Sequence, residues 1–239
     1  ALARQYGPEM FGMYSAWLGM ILLLSVVLTG RFETALAIEP DGTPRRQAVM
    51  KIVVTVMLAG IACEVVLAGV LAANAGKVRA VPDVLLIAFV PTAAALAVAQ
   101  TWQAWAAAEG RYRALAVMRI VQAATVTLLQ IVAGFFWAST GALALAYGLG
   151  VVIGAGFSMR LMPPDKRPHL RDLPAFWSHH RRFPLYSLPA DAVNTGAVQL
   201  PVLVIAARFG ADVAGLLAMT LRTLGAPIGL LGTAVLDVF

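Results

Sequence analysis

The residues that could do chemistry in this chain are few, and most sit where charge is expensive. Arg119, Gln122 and Gln130 lie in an otherwise apolar stretch. At about 100° per residue they share an arc of roughly 80° on one helix face. Ser187, Asp191, Asn194, Thr195 and Gln199 form a second polar face, between residues 184 and 208. Glu64 stands alone among apolar neighbours, Arg222 is a charge within the last span, and Gln100 and Gln103 close another apolar run. An ionisable side chain in a membrane span costs about 2.5–3.5 kcal/mol on insertion scales, so such groups usually face a bundle interior or a water-filled path. The alternative is static pairing between helices, worth only about 0.6 kcal/mol per contact. Arg119, near the end of its span, could also reach the interface by extending its stem. Asp191 and Arg222 lie deeper and favour a cavity. Glu64 is either an acid that responds to a proton or cation or the static partner of an arginine. Burial raises a carboxyl pKa, which suits the first role.

These residues must be positioned by membrane helices. The chain has 239 residues, of which 60% are hydrophobic and 13% charged. Soluble domains carry about 25% charged residues. Phe11–Gly30, Val84–Ala108 and Ile120–Met159 contain no charge at all. Runs of roughly 18 or more apolar residues read as spanning helices, and they are too continuous for barrel strands. We place a stub of a first helix at Ala1–Arg4. Seven spans follow, near Phe11–Gly30, Met50–Ala73, Val84–Ala108, Arg113–Trp137, Gly141–Met159, Pro184–Arg208 and Val213–Asp237. Ser139-Thr140-Gly141 is the turn that divides the longest uncharged stretch, and Trp137 suits an interface. The expected class is all-α, a polytopic helical bundle. Because the first residue is not Met and both ends abut apolar sequence, we read the chain as a piece of a longer protein.

The net charge of +6 is a topology signal rather than a nucleic-acid signal. Alternate loops carry twelve basic residues: Arg31, Arg45, Arg46, Lys51, Arg111, Arg113, Arg160, Lys166, Arg167, Arg171, Arg181 and Arg182. The opposite loops carry four: Arg4, Lys77, Arg79 and Arg208. Basic residues collect on the cytoplasmic side, which puts the N-terminus and the basic segment 160–183 there. That segment is either a solvated linker or a contact for anionic lipid head groups. His179-His180 beside Arg181-Arg182 reads as solvated loop.

An internal repeat organises the spans. Gly7-Pro8-Glu9-Met10-Phe11-Gly12-Met13-Tyr14 recurs 203 residues later as Gly210-Ala211-Asp212-Val213-Ala214-Gly215-Leu216-Leu217. Both copies pair glycines five apart with an acid two after the first. Six spans separate them, so both run the same way through the membrane, as in transporters whose path lies between two parallel repeats. The expected organisation is an N-terminal lobe over 1–160, a basic linker over 161–183 and the first two helices of a second lobe over 184–239. Pro91, Pro189, Pro201 and Pro227 fall inside spans. Each is either a static kink or part of a broken helix at a binding site. Gly150 and Gly154 permit close helix packing. No phosphate-cradling GxxxxGK[ST], catalytic constellation or metal-ligand cluster appears, and Cys63 stands alone. No cofactor is expected.

Several stretches resemble a known family. Arg182-Phe183-Pro184-Leu185-Tyr186-Ser187-Leu188-Pro189, Asn194, Leu200-Pro201 and Arg222-Thr223-Leu224-Gly225-Ala226-Pro227 are similar to the middle of bacterial polysaccharide exporters of the O-antigen flippase type. Tyr6-Gly7-Pro8-Glu9 with Phe11-Gly12-Tyr14, then Arg31-Phe32-Glu33-Ala35, Gln103, Arg111-Tyr112 and Arg119 with Gln122 continue the likeness over essentially the whole chain. The usual basic residue in Trp105–Glu109 is absent. The resemblance implies the multidrug/oligosaccharidyl-lipid/polysaccharide exporter (MATE-like) fold, two bundles around a central cavity with alternating access. The implied cargo is an undecaprenyl-diphosphate-linked oligosaccharide, and the location is the bacterial inner membrane. Arg31, Arg119 and Arg222 are the matching cations for the diphosphate, and arginine suits phosphate. Gln122, Asp191, Asn194 and Gln199 complete the expected substrate set, with Glu64 as the coupling residue for a proton or sodium ion. Membrane lipids and polysaccharide polymerase components are the expected partners, and no enzyme activity is expected. The alternatives are a multidrug antiporter that relies on Asp191 and Glu64, a lipid II flippase, a membrane scaffold, and a polymerase or ligase, for which the loops 74–83 and 138–140 look too short.

Overall fold

A computed structural model describes residues 6–73, 82–163 and 170–236, the side chains of 222, 223 and 226–236 excepted. The stub Ala1–Arg4 and the loop cations Lys77, Arg79, Lys166 and Arg167 lie outside the described residues. The helices are α1 Pro8–Thr29, α2 Thr43–Ala73, α3 Asp83–Ile87, α4 Phe89–Ala108, α5 Tyr112–Phe136, α6 Thr140–Leu161, α7 Leu173–His179, α8 Leu188–Phe209 and α9 Ala211–Leu236. Among the described residues there is no strand. Among the described residues six helical segments are long and apolar enough to cross a membrane. They are the first six expected spans, with α3 and α4 together making one. The chain is a multi-pass helical membrane protein.

The helix ends follow local chemistry. Pro8 occupies the first turn of α1, where its missing N–H costs nothing. Gly30 ends α1 in the left-handed conformation, and its N–H donates to the Val27 carbonyl. Ser139 caps α6 by accepting from the Ala142 N–H at 3.1 Å, at the turn expected from Ser139-Thr140-Gly141. Pro91 cannot donate to the Ile87 carbonyl, and the helix breaks at Ala88. The indole N–H of Trp17 donates to the Leu85 carbonyl at 2.8 Å, which braces the break from α1. Just before α8 the chain makes a π-helical turn, Phe183–Ser187, which contains Pro184 and is followed by Pro189 in the first turn of α8. Pro201 is carried inside α8 without interruption.

α1 forms the axis of the bundle and packs against α2, α4, α6, α8 and α9. Of its buried aromatics, Tyr14 and Trp17 meet Tyr147 of α6 edge-on, and Phe11 packs on Tyr14. A buried polar knot ties three helices here. The Gln130 amide donates to the Tyr14 hydroxyl at 2.8 Å and to the Leu143 carbonyl at 3.4 Å. The Tyr6 hydroxyl donates to the Gln130 carbonyl at 2.9 Å. Burial pushes the Tyr6 phenol above its usual pKa, so it stays a donor at physiological pH. Gln130, which shares a polar face with Arg119 in the sequence, is therefore structural.

Glycines set the closest approaches. A Cβ at Gly150 would lie 2.7 Å from the Val126 Cα, and one at Gly154 would lie 2.9 Å from the Gln122 Cβ. α5 and α6 thus pack through a small-residue seam. The two copies of the sequence repeat also meet. A Cβ at Gly12 would fall on the Ala211 carbonyl oxygen, and one at Gly215 would fall on the Pro8 carbonyl oxygen. Shifting Pro8 and Gly12 by 203 gives Ala211 and Gly215. The contact therefore maps onto itself when the copies are exchanged, which is the signature of a local two-fold relation.

The segment 161–183, expected as a linker between lobes and as solvated, is partly built into the fold. α7 buries Leu173 and Phe176, and Phe176 packs on Phe32 at a centroid distance of 5.7 Å. The Trp177 indole donates to the Thr55 hydroxyl at 2.9 Å. His180 is buried, and its Nε2 lies 2.7 Å from Glu39 Oε1, which corrects the solvated reading of this histidine. Arg45, counted as a loop cation, is also buried. It donates to the carbonyls of Ala108 at 3.0 Å and Glu39 at 2.8 Å, satisfying the end of α4. At the other end of the bundle Phe135, Phe136 and Trp137 are exposed, as an interfacial aromatic rim requires.

Candidate functional site

The 3₁₀ turn Phe32–Ala37, which the sequence pattern did not foretell, builds the site. It begins at Arg31, the only non-glycine residue with positive φ (58°) among the described residues. Gly30 precedes it at φ 56°, so two consecutive left-handed residues reverse the chain at the end of α1. A left-handed non-glycine residue costs about 1–2 kcal/mol. Such strain persists only where the surroundings hold it, and it concentrates at functional positions. Here the Arg31 N–H donates to the Thr29 hydroxyl at 3.2 Å, and the Thr34 hydroxyl donates to the Arg31 carbonyl at 2.6 Å.

The Arg31 side chain points into a cavity of about 390 Å³ lined by Val26, Glu33, Thr34, Gln100, Gln103, Ala104, Ala107 and Arg119. Glu33 Oε1 accepts from Arg31 Nη1 at 2.9 Å. Asp191 of α8 approaches from the far side, its Oδ2 2.6 Å from Arg31 Nε. On the opposite wall the Gln103 amide donates to Gln122 Oε1 at 2.9 Å. Arg119 Nε donates to Gln103 Oε1 at 3.4 Å. The Arg119–Gln122 face of α5 thus meets α4 at Gln103 and the α1 exit at Arg31. These groups lie at the end of the bundle that carries Arg45, Arg111 and Arg113.

Two arginines, two carboxylates and three glutamines can recognise an anion with several oxygens. Arginine offers five N–H donors in a planar fork that matches phosphate. The amides add neutral donors. Nothing here resembles a nucleophile paired with a base, and among the described residues no group of three metal-ligating side chains converges.

A family model described as polysaccharide biosynthesis protein matches residues 1–239. The chain belongs to the polysaccharide biosynthesis protein family. No curated protein and no solved structure matches it. Membership assigns this multi-pass protein a role in polysaccharide biosynthesis.

Within this family member the expected site residues divide. Arg31, Arg119, Gln122 and Asp191 converge on the cavity or its wall. Gln199 is placed elsewhere. It lines a separate cavity of about 300 Å³ between α1, α8 and α9 with Ser15 and Leu18, and packs against Gly19. Asn194 is exposed on α8 and does not line the cavity. Glu64 sits apart on α2, half-buried, and its Oε2 has no hydrogen-bond partner among the described residues. Arg222 lies on α9, and its side chain is outside the described residues. Glu33, Thr34, Gln100 and Gln103 are the site residues that the expected set omits. Gln100 and Gln103 carried a signal as polar residues closing an apolar run, and Glu33 as an acid two residues after an arginine at a helix exit; Thr34 carried none.

Proposed function

We propose that this chain is part of a transporter that moves an undecaprenyl-diphosphate-linked oligosaccharide across the bacterial inner membrane by alternating access, without covalent chemistry. The observation that carries this reading is the Arg31–Arg119 cavity, a polar recess lined by two arginines at the basic end of an otherwise apolar bundle. Its positive charge supports a cytoplasmic placement of that end, where a lipid-linked precursor would be loaded. Guanidinium groups would hold the diphosphate, and the Gln100, Gln103 and Gln122 amides would meet phosphate or sugar oxygens. The repeat contact between Gly12 and Gly215 fits two lobes that rock about a shared axis. Glu64 would serve a coupling proton or sodium ion, and polymerase components would receive the exported unit.

The test is export in cells carrying the full-length gene. Arg31→Ala and Arg119→Ala should each abolish surface polysaccharide while the protein accumulates normally in the membrane. Arg222→Ala tests the third expected cation in the same assay. Normal export with both Arg31→Ala and Arg119→Ala would refute the reading.

Glu33 and Asp191 beside the cavity favour one second reading, a cation-coupled drug antiporter. In that case Asp191→Asn would abolish drug resistance conferred by the full-length protein, and polysaccharide export would not depend on Arg31.

A further inference from the structure

Arg31 is not waiting free for an anion. Its guanidinium already lies between two carboxylates, Glu33 Oε1 at 2.9 Å and Asp191 Oδ2 at 2.6 Å. With Arg119 included, the two cations and two acids around the cavity cancel. A diphosphate would need the guanidinium edges that the carboxylates hold, and would meet two like charges there. For the cavity to take an anionic head group, one acid must give way.

The geometry selects which one. Glu33 belongs to the same 3₁₀ turn as Arg31, its side chain is 7% exposed, and it is bound to Arg31 Nη1 by an aligned hydrogen bond. Asp191 belongs to a different element, across the segment 161–183, and its side chain is 33% exposed. Its contact with Arg31 is short, yet the Arg31 Nε–H makes no aligned hydrogen bond among the described residues. Proximity of charge, not directed bonding, holds this pair, and a partly exposed pair of that kind is weak. Arg31 cannot follow a retreating Asp191 far, because its backbone is fixed in the left-handed region by Thr29 and Thr34. Asp191 also has somewhere to go. It is partly exposed, so its carboxylate can swing into open space after the pair has parted.

We propose that Asp191 is an internal stand-in for the cargo's phosphate, a latch from α8 onto Arg31 that an incoming polyprenyl diphosphate displaces. Displacement gives the Arg31 Nε–H an aligned acceptor and at the same stroke frees α8 from the exit of α1. Cargo capture and separation of the two halves at this end are then one event. The inference rests on the transport reading above and adds to it that Asp191 competes with cargo instead of binding it.

The experiment uses the full-length protein in nanodiscs, with farnesyl diphosphate as the probe. Asp191→Asn removes the competitor but keeps the shape, and should tighten binding about tenfold, since like charges placed together oppose association strongly. Arg31→Ala should abolish binding. Spin labels at the exposed positions Ile38 and Tyr186 report whether the ends of α1 and α8 part. In the wild type the label distance should lengthen when farnesyl diphosphate is added. In Asp191→Asn it should be long already. Unchanged or weaker affinity in a folded Asp191→Asn protein would overturn the latch while leaving the Arg31 site standing. An Asp191→Asn label distance equal to that of the ligand-free wild type would also overturn it. If neither protein binds farnesyl diphosphate the latch fails as well, and the export assay decides separately whether Arg31 serves cargo.

Discussion

Adding one methyl group to Gly12 should disrupt the contact between the repeat copies, and the size of the effect can be worked from the backbone. The new Cβ would fall on the Ala211 carbonyl oxygen and stand 2.8 Å from the Gly215 nitrogen. A carbon needs about 3.3 Å from a carbonyl oxygen. Both obstacles are backbone, so no side chain can swing aside, and α1 and α9 must part by roughly 1.5 Å. A gap of that size forfeits about half or more of the dispersion energy of each contact along the seam. Overpacking costs about 1–3 kcal/mol, and rigid obstacles place this site at the upper end, near 3 kcal/mol. Gly215→Ala should cost about the same, because its Cβ meets Pro8 in the mirrored arrangement. The double variant should fall short of the sum by about 1 kcal/mol or more, since the second methyl enters a gap that the first has opened. Gly156→Ala is the control, with nothing within 4 Å of its Cβ. Equilibrium unfolding of the full-length protein by SDS in mixed micelles measures all four. Additive effects of Gly12→Ala and Gly215→Ala, or a cost no larger than that of Gly156→Ala, would refute the reciprocal contact.

Three further outcomes follow from other parts of the structure. Arg31→Gly should be more stable than Arg31→Ala by about 1 kcal/mol, because glycine accepts the left-handed backbone freely, while both variants lose export; equal stability would remove the strain from the account. Gln130→Leu should lower stability by about 1–3 kcal/mol, read in the same unfolding assay, because it strips the Tyr14 hydroxyl of a donor inside the bundle. Glu64→Gln should abolish the pH dependence of transport in proteoliposomes if this carboxyl couples a proton; unchanged transport with unchanged pH dependence would exclude Glu64 from coupling.

The spanning helices were legible in the sequence because hydrocarbon imposes length and composition on every crossing. The repeat was legible because Gly12 and Gly215 must both be small for their helices to meet. Arg119 and Gln122 could be placed on one face by helical period, and they do share a wall of the cavity. Period could not say what that wall faces, so Gln130 on the same face turned out to knot α1, α5 and α6 together. Asp191 and Gln199 likewise share α8 but serve two cavities, since α8 touches the exit of α1 near its start and the middle of α1 further on. The loop residues were the least legible. His180 meets Glu39 across 141 positions and Arg45 meets Ala108 across 63. Composition counted both as solvated charge, and only the docking of α7 on Phe32 buries the histidine. Arg31 was recognised by resemblance, but its left-handed backbone was invisible, because the signal that normally marks that conformation is glycine.

α1 is unbroken from the glycine contact near its start to Arg31 just beyond its end. Nineteen residues at 1.5 Å make an arm of about 28 Å between them. With the glycine contact as fulcrum, a rotation of only about 3° displaces the Arg31 end by roughly 1.5 Å, enough to carry a 2.6 Å ion pair past the 4 Å at which such a pair ceases to count. The ion pair therefore stands where leverage is greatest and the methyl-free contact where it is least. A lever of this proportion would let the loss of one short contact become a tilt of the whole helix.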